Sequence, residues 1–268
     1  MVIIKVQQTI QDHVFIKERI EQASYNEEKM RQMLFKGDYL YKLDQYCKKT
    51  GKNFIQELTI RAILFDYELN DTDKQIYYPM NQKFKAAIEE LSFYDKVEQI
   101  YQSILMDVRY FPIPKDLLGM ETISFQDGFG DARSYGGDRK HEGIDLIPSI
   151  KERGYFPIVS VSDGVVANVG WLELGGWRVG IDSDNGGYFY YAHLDSYAPG
   201  LKEGDRVSAG QLLGFMGDSG YGKKEGTRGK FIVHLHFGIY VTINHKQVSF
   251  NPYPVLNYLL HRRLGYQM

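Results

Sequence analysis

The chain has 268 residues, 43% hydrophobic and 14% aromatic, which is enough for one large or two ordinary globular domains and too apolar for a disordered chain. A net charge of −2 excludes nucleic-acid or anionic-membrane binding driven by bulk charge. The single cysteine, Cys47, excludes an intramolecular disulfide framework and any cysteine-rich metal site, so metal chemistry has to use His, Asp or Glu.

The start "MVIIKVQQTIQDH" lacks the basic and long apolar segments of a signal peptide, and no run of apolar residues is long enough to span a bilayer. The chain as given therefore reads as soluble. Up to about residue 110, glycine is scarce and Lys, Glu, Gln, Leu and Ile dominate. "NFIQELTIRAILFDYEL" and "FKAAIEELSFYDKVEQIYQSIL" have helical spacing, and in the second Phe84, Ile88, Leu91, Val97 and Ile100 line one apolar side. "KKTGKN" predicts a helix stop at Gly51. Pro112 and Pro114 disfavour helix continuation, and composition changes after them. The expected division is a helical region of unknown role over 1–115 and a second domain over 116–268.

From about residue 120, glycine is frequent and alternation of period two takes over, in "PIVSVSDGVVANVGW", "WRVGIDSDNGGYFYYAHL" and "FIVHLHFGIYVTI". "SDG" and "SDNGG" are hairpin signals between these runs. In the last strand Val233, Leu235, Phe237, Ile239 and Val241 share a core face, while His234 and His236 project side by side from the other. "NPYPVLNYLLHRRL" predicts a closing helix with Pro252 and Pro254 near its start.

Of the seven histidines, four lie in this β-rich half in motif-like surroundings: His141, His193, His234 and His236. His141 and Asp145 in "KHEGIDLIP" are four apart and share a face on strand or helix. Asp at 145 removes the second imidazole of a helical HExxH protease. A catalytic zinc ion takes a few N and O ligands and keeps one position open for water. His141, Asp145 and one of the His234/His236 pair would supply three ligands, leaving the other of the pair and His193 beside the open position for proton transfer or oxyanion stabilisation.

With "HEGIDL", "PIVSVSDGVVANVGW", "YYAHLD", "GDRVSAGQLLGFMGDSG" and "HLHFGI" in that order, residues 127 to 260 resemble the M23 metallopeptidases, the LytM or lysostaphin-type peptidoglycan endopeptidases. The expected fold is α+β: the helical N-terminal region read above followed by a mainly antiparallel β-sheet domain, which the resemblance makes a zinc peptidase domain. It implies one Zn2+ per chain on His141, Asp145 and His236. His193 and His234 become the catalytic histidines, and Tyr135, six residues before His141, resembles a tyrosine near the reaction centre of some members. The implied partner is a peptidoglycan peptide, either stem or cross-bridge, with no nucleic acid and no transmembrane segment. The implied location is extracytoplasmic, at the cell wall or surface, with any leader or anchor outside this chain. The oligomeric state is left open.

The loop "DSGYGKKEGTRGKFIV" is longer than the family's usual link and lacks its proline, a departure that bears on substrate preference. The first half has no counterpart in this resemblance. A lipoyl-type carrier needs a lysine in a tight hairpin, and a cupin needs a Glu soon after His-x-His. Neither is present. The remaining alternative is a non-catalytic relative that regulates or scaffolds other wall hydrolases. Such relatives lose zinc ligands, whereas this chain keeps every position.

Overall fold

A computed structural model describes residues 2–78, 80–116, 122–135 and 137–266. The chain forms two compact units, Met1–Gln102 and Ser103–Met268. Among the described residues no helix is long and apolar enough to cross a membrane.

The helices of the first half are α1 (Val2–Gln22), α2 (Glu27–Gln32), α3 (Tyr39–Thr50), α4 (Phe54–Leu64), α5 (Asp73–Ile76), α6 (Gln82–Glu89) and α7 (Tyr94–Leu105). Asparagine starts three of them. Asn26, Asn53 and Asn81 each accept the backbone N–H three residues on, satisfying a donor that the helix itself cannot. Helix α3 ends at Gly51, whose φ of 66° allows its N–H to reach the Cys47 carbonyl. The long periodic stretch after residue 82 is divided: Glu90 closes α6 on the Ala86 carbonyl, and Tyr94 N–H bonds the Leu91 carbonyl before α7 starts. Ile16, Leu64 and Tyr78 form a core against which Phe15, Phe65 and Phe84 pack. Cys47 is buried and unpaired.

Residues 103–115 are tied into the second unit, where Arg109 N–H donates to the Val161 carbonyl at 2.7 Å and Asn185 N–H donates to Asp107 at 2.7 Å. Short strands come first: β1 (Lys115–Asp116), β2 (Ile123–Ser124), β3 (Ala132–Arg133) and β4 (Arg139–Lys140). The main sheet then uses β5 (Ile144–Pro148), β6 (Pro157–Val159), β7 (Gly164–Leu172), β8 (Gly176–Ser183), β9 (Gly187–Tyr197), β10 (Arg206–Val207), β11 (Leu212–Met216), β12 (Leu235–Ile243) and β13 (Lys246–Phe250). Helix α8 (Tyr253–Leu260) and β14 (Gly265–Tyr266) close the chain, with Pro254 in the first turn of α8.

The sheet path β10-β7-β8-β9-β12-β5-β2 is antiparallel throughout, with β11 and β13 joined to its side. The alternation expected for β12 holds: Val233, Leu235, Phe237, Ile239 and Val241 are all buried. Phe237 stacks on Phe189 of β9 at 6.3 Å, and Ile144 and Leu146 of β5 complete that inner face. The opposite face of the same strands is left to carry polar groups.

Candidate metal centre and cleft

Cross-strand register assembles the site. His236 on β12 is directly opposite Asp145 on β5 and, on its other side, opposite Ala192 on β9. His141 ends the segment just before β5. The result is a nearly equilateral triangle of donors: His141 Nε2 to Asp145 Oδ1 3.1 Å, His141 Nε2 to His236 Nδ1 3.0 Å, and His236 Nδ1 to Asp145 Oδ1 3.0 Å. One face of a tetrahedron with metal–ligand bonds of 2.0 to 2.1 Å has edges of about 3.3 Å. Two imidazoles and a carboxylate in this arrangement can hold a divalent metal ion, and they form a candidate metal cluster among the described residues.

The surroundings keep these donors in the form a metal needs. Burial opposes the charge on Asp145, but the His141 and His236 rings packed against it outweigh that and hold the carboxyl far below its ordinary range. Burial lowers His236, favouring a neutral ring. His141 Nδ1 lies 2.9 Å from both the Gly128 carbonyl and Arg133 Nη2, and can serve only one of them. As a donor to the carbonyl it leaves the Nε2 lone pair free for a metal. Arg133 then keeps its 2.8 Å bond to Asp145 Oδ2, which orients the carboxylate.

Gly143 explains the glycine in "HEGID". A Cβ there would lie 2.6 Å from His236 Cε1 and Nε2 and from the Phe237 carbonyl oxygen. The backbone passes beneath the ring, and any side chain would push it off the triangle. Gly143→Ala is therefore expected to lower metal affinity by about 10-fold or more while the protein stays folded. Metal titration with circular dichroism on the same samples checks this, and unchanged affinity would show that the ring yields without loss.

His193 reaches the site through an irregularity. Between the pairs Trp177↔Leu194 and Val179↔Tyr191, strand β9 has two residues, Ala192 and His193, opposite the single residue Arg178 of β8. Strict alternation would put His193 on the core face with Phe189 and Tyr191. The bulge, with His193 at φ 65°, turns the ring to the polar face instead. A non-glycine residue held there costs on the order of 1 to 3 kcal/mol, offset by the surrounding sheet.

His193 Nδ1 is 2.8 Å from the Ser219 carbonyl and His234 Nδ1 is 2.7 Å from the Ile232 carbonyl. A carbonyl only accepts, so each Nδ1 carries the proton and each Nε2 has its lone pair free. His234 Nε2 is 3.6 Å from Asp145 Oδ1, and the His193 and His234 ring centres are 4.7 Å apart. Burial lowers the pKa of both rings, so both are neutral near pH 7.

His141, Asp145, His193, His234 and His236 thus converge on one cleft of about 1230 Å³. Tyr135 stands apart from them. It is 42% exposed, its ring stacks on Tyr221 at 4.3 Å, and its hydroxyl donates to the Tyr221 carbonyl. Tyr221, which sequence reasoning missed, lines the cleft, has its ring 6.0 Å from His193, and accepts from Arg139 at 3.0 Å. Arg133 was also missed. Its role depends on a two-residue ladder between β3 and β4 that leaves no periodic signal.

The family model described as "Peptidase family M23" matches residues 139–252, which contain both histidine motifs. The chain is 37% identical over 219 residues to an L-Ala–D-Glu endopeptidase of Bacillus subtilis, covering 82% of this chain and 59% of that protein. It is 30% identical over 118 residues to lysostaphin of Staphylococcus simulans, covering 43% of this chain and 21% of that protein. This chain thus spans under two thirds of the length of either of these curated relatives. A solved structure from Ruminococcus gnavus, named as a candidate glycyl-glycine endopeptidase LytM, is 39% identical with a TM-score of 0.78, covering 93% of this chain and 97% of that one. That match reaches into the helical half, for which the motifs alone offered no counterpart. With the family model lying over the converging histidines and this relative matched almost end to end, the chain belongs to peptidase family M23.

Proposed function

We propose that the chain is a zinc metalloendopeptidase that hydrolyses amide bonds in the peptides of peptidoglycan, acting outside the cytoplasmic membrane. The observation that carries this reading is the donor triangle of His141, Asp145 and His236 with two neutral histidines beside it. The name of the Bacillus relative, an L-Ala–D-Glu endopeptidase, supports a peptide substrate of this kind.

His141 Nε2, Asp145 Oδ1 and His236 Nδ1 would hold the zinc ion. When bound, zinc supplies Lewis-acid polarisation of the scissile carbonyl and makes water a competent nucleophile near neutral pH. His193 and His234 share the proton work through their free Nε2 atoms: the proton that one ring takes from the attacking water is the proton returned to the leaving amine, directly or after passing to the other ring. Their Nδ1–H bonds to Ser219 and Ile232 fix the rings and supply the tautomer this requires. Depressed pKa values keep both rings able to accept a proton at neutral pH.

The test is digestion of defined wall fragments, both stem peptides and cross-bridged peptides, by the zinc-loaded and the chelator-treated protein, with mass analysis of the products. The expected results are about one zinc per chain and new amine and carboxyl ends at one bond type, lost on chelation and restored by zinc. A folded, zinc-loaded protein that cuts no wall peptide would overturn the reading and leave a non-catalytic regulator in its place.

A further inference from the structure

Arg178 on β8 is opposite Gly170 on one side and opposite the His193 bulge on the other. It therefore lies in the same cross-strand row as Ala192, His236 and Asp145, two strands from His236. At 4.7 to 4.9 Å per strand that is about 10 Å at the backbone, within reach of one extended peptide lying across the cleft. Arg178 lines the same cleft as the histidines. Its Nη1 is inaccessible to solvent and makes no hydrogen bond.

Every other guanidinium lining the cleft is engaged. Arg133 bonds Asp145, and Arg139 bonds the Tyr135 carbonyl and the Tyr221 hydroxyl. Among the described residues no carboxylate pairs with Arg178, although Glu173 lines the same cleft and Asp182 follows on the same strand face. Gly170 opposite it has no side chain to offer, and Tyr188 and Tyr190 form the floor of the cleft beside it. A guanidinium left without a partner in a cleft is matched by a planar anion that can take two of its N–H groups.

We infer that Arg178 is a specificity residue that binds a free carboxylate of the substrate next to the scissile amide, so that the enzyme selects acidic peptides over neutral ones such as oligoglycine. This rests on the peptidase reading above and narrows it to one substrate class. An acidic stem-peptide residue supplies that carboxylate, and a glycine bridge does not.

The experiment uses the full chain with zinc bound and two synthetic stem peptides that differ only in the carboxyl beside the scissile bond, free in one and converted to the carboxamide in the other. A pentaglycine peptide is the neutral reference. The expected result is a kcat/KM for the free acid higher than for the amide by roughly 10- to 150-fold, the range of hydrogen bonds to charged groups. The difference should appear mainly in KM. Arg178→Gln should bring that ratio close to one, with Arg178→Lys in between, since lysine keeps the charge but not the fork. Zinc content should be the same in all three proteins. Equal turnover of acid and amide by the wild type, or an unchanged ratio in Arg178→Gln, would overturn the inference. If no peptide is cut, the peptidase reading fails by itself. Calorimetric binding of the acid and amide peptides to wild type and Arg178→Gln then still decides the role of Arg178, an equal affinity for the two counting against it.

Discussion

His193→Ala and His234→Ala are each expected to keep zinc and lose rate. Neither residue belongs to the donor triangle, and each holds its ring by a single Nδ1–H bond to a carbonyl of its surroundings, Ser219 or Ile232. Proton transfer by a positioned side chain contributes on the order of 10²- to 10⁴-fold, so kcat should fall by that much at either position. The two rings are 4.7 Å apart and face one cleft, and in the proposed mechanism they serve a single transition state. The double variant should then be little slower than the worse single variant, because groups that act as a unit are not additive. Zinc content and turnover of the two single variants and the double variant, measured beside the wild type, check this. Additive losses would mean that the rings act in separate steps, and unchanged rates would make both of them structural.

His193 also marks the limit of what the sequence discloses. Counting by two from the buried Phe189 and Tyr191 places residue 193 in the core. Only the two-against-one register opposite Arg178 brings it to the cleft. Such bulges often announce themselves with glycine, and here the left-handed position is the histidine itself. His234 and His236 were legible because an apolar strand with two imidazoles on its free face is a pattern in the chain. The pairing of His141 with Asp145 was legible from spacing, and the family resemblance assigned the role of each. The break between α6 and α7 was not legible. Its residues Glu90 to Phe93 carry no proline or glycine, and the turn is made by backbone bonds from Glu90 to Ala86 and from Tyr94 to Leu91. Arg178 was invisible for a different reason, since its significance lies in the partners it does not have.

His236→Ala is expected to lose zinc and activity together, in contrast to the two histidines beside it. His236 supplies one of three donors, and the two that remain, His141 and Asp145, are four residues apart on one stretch of chain. Removing an outer partner of a ligand already costs about 10- to 100-fold in metal affinity, so removing a donor should exceed that range. The wild-type ion should also persist into mild acid. Metal binding needs a neutral imidazole, and burial lowers the His236 pKa, so at about pH 6.5, where an ordinary histidine is half charged, more of this ring stays neutral. Going further down in pH protonates the ring and releases the metal. The control for folding is the near-ultraviolet spectrum, which reports the packing of Phe237 and Tyr191 behind the strand. A folded His236→Ala protein with full zinc occupancy would move the third donor elsewhere. If His234→Ala emptied the site in the same experiment, the roles within "HLH" would be exchanged, with His234 on the metal and His236 handling the proton.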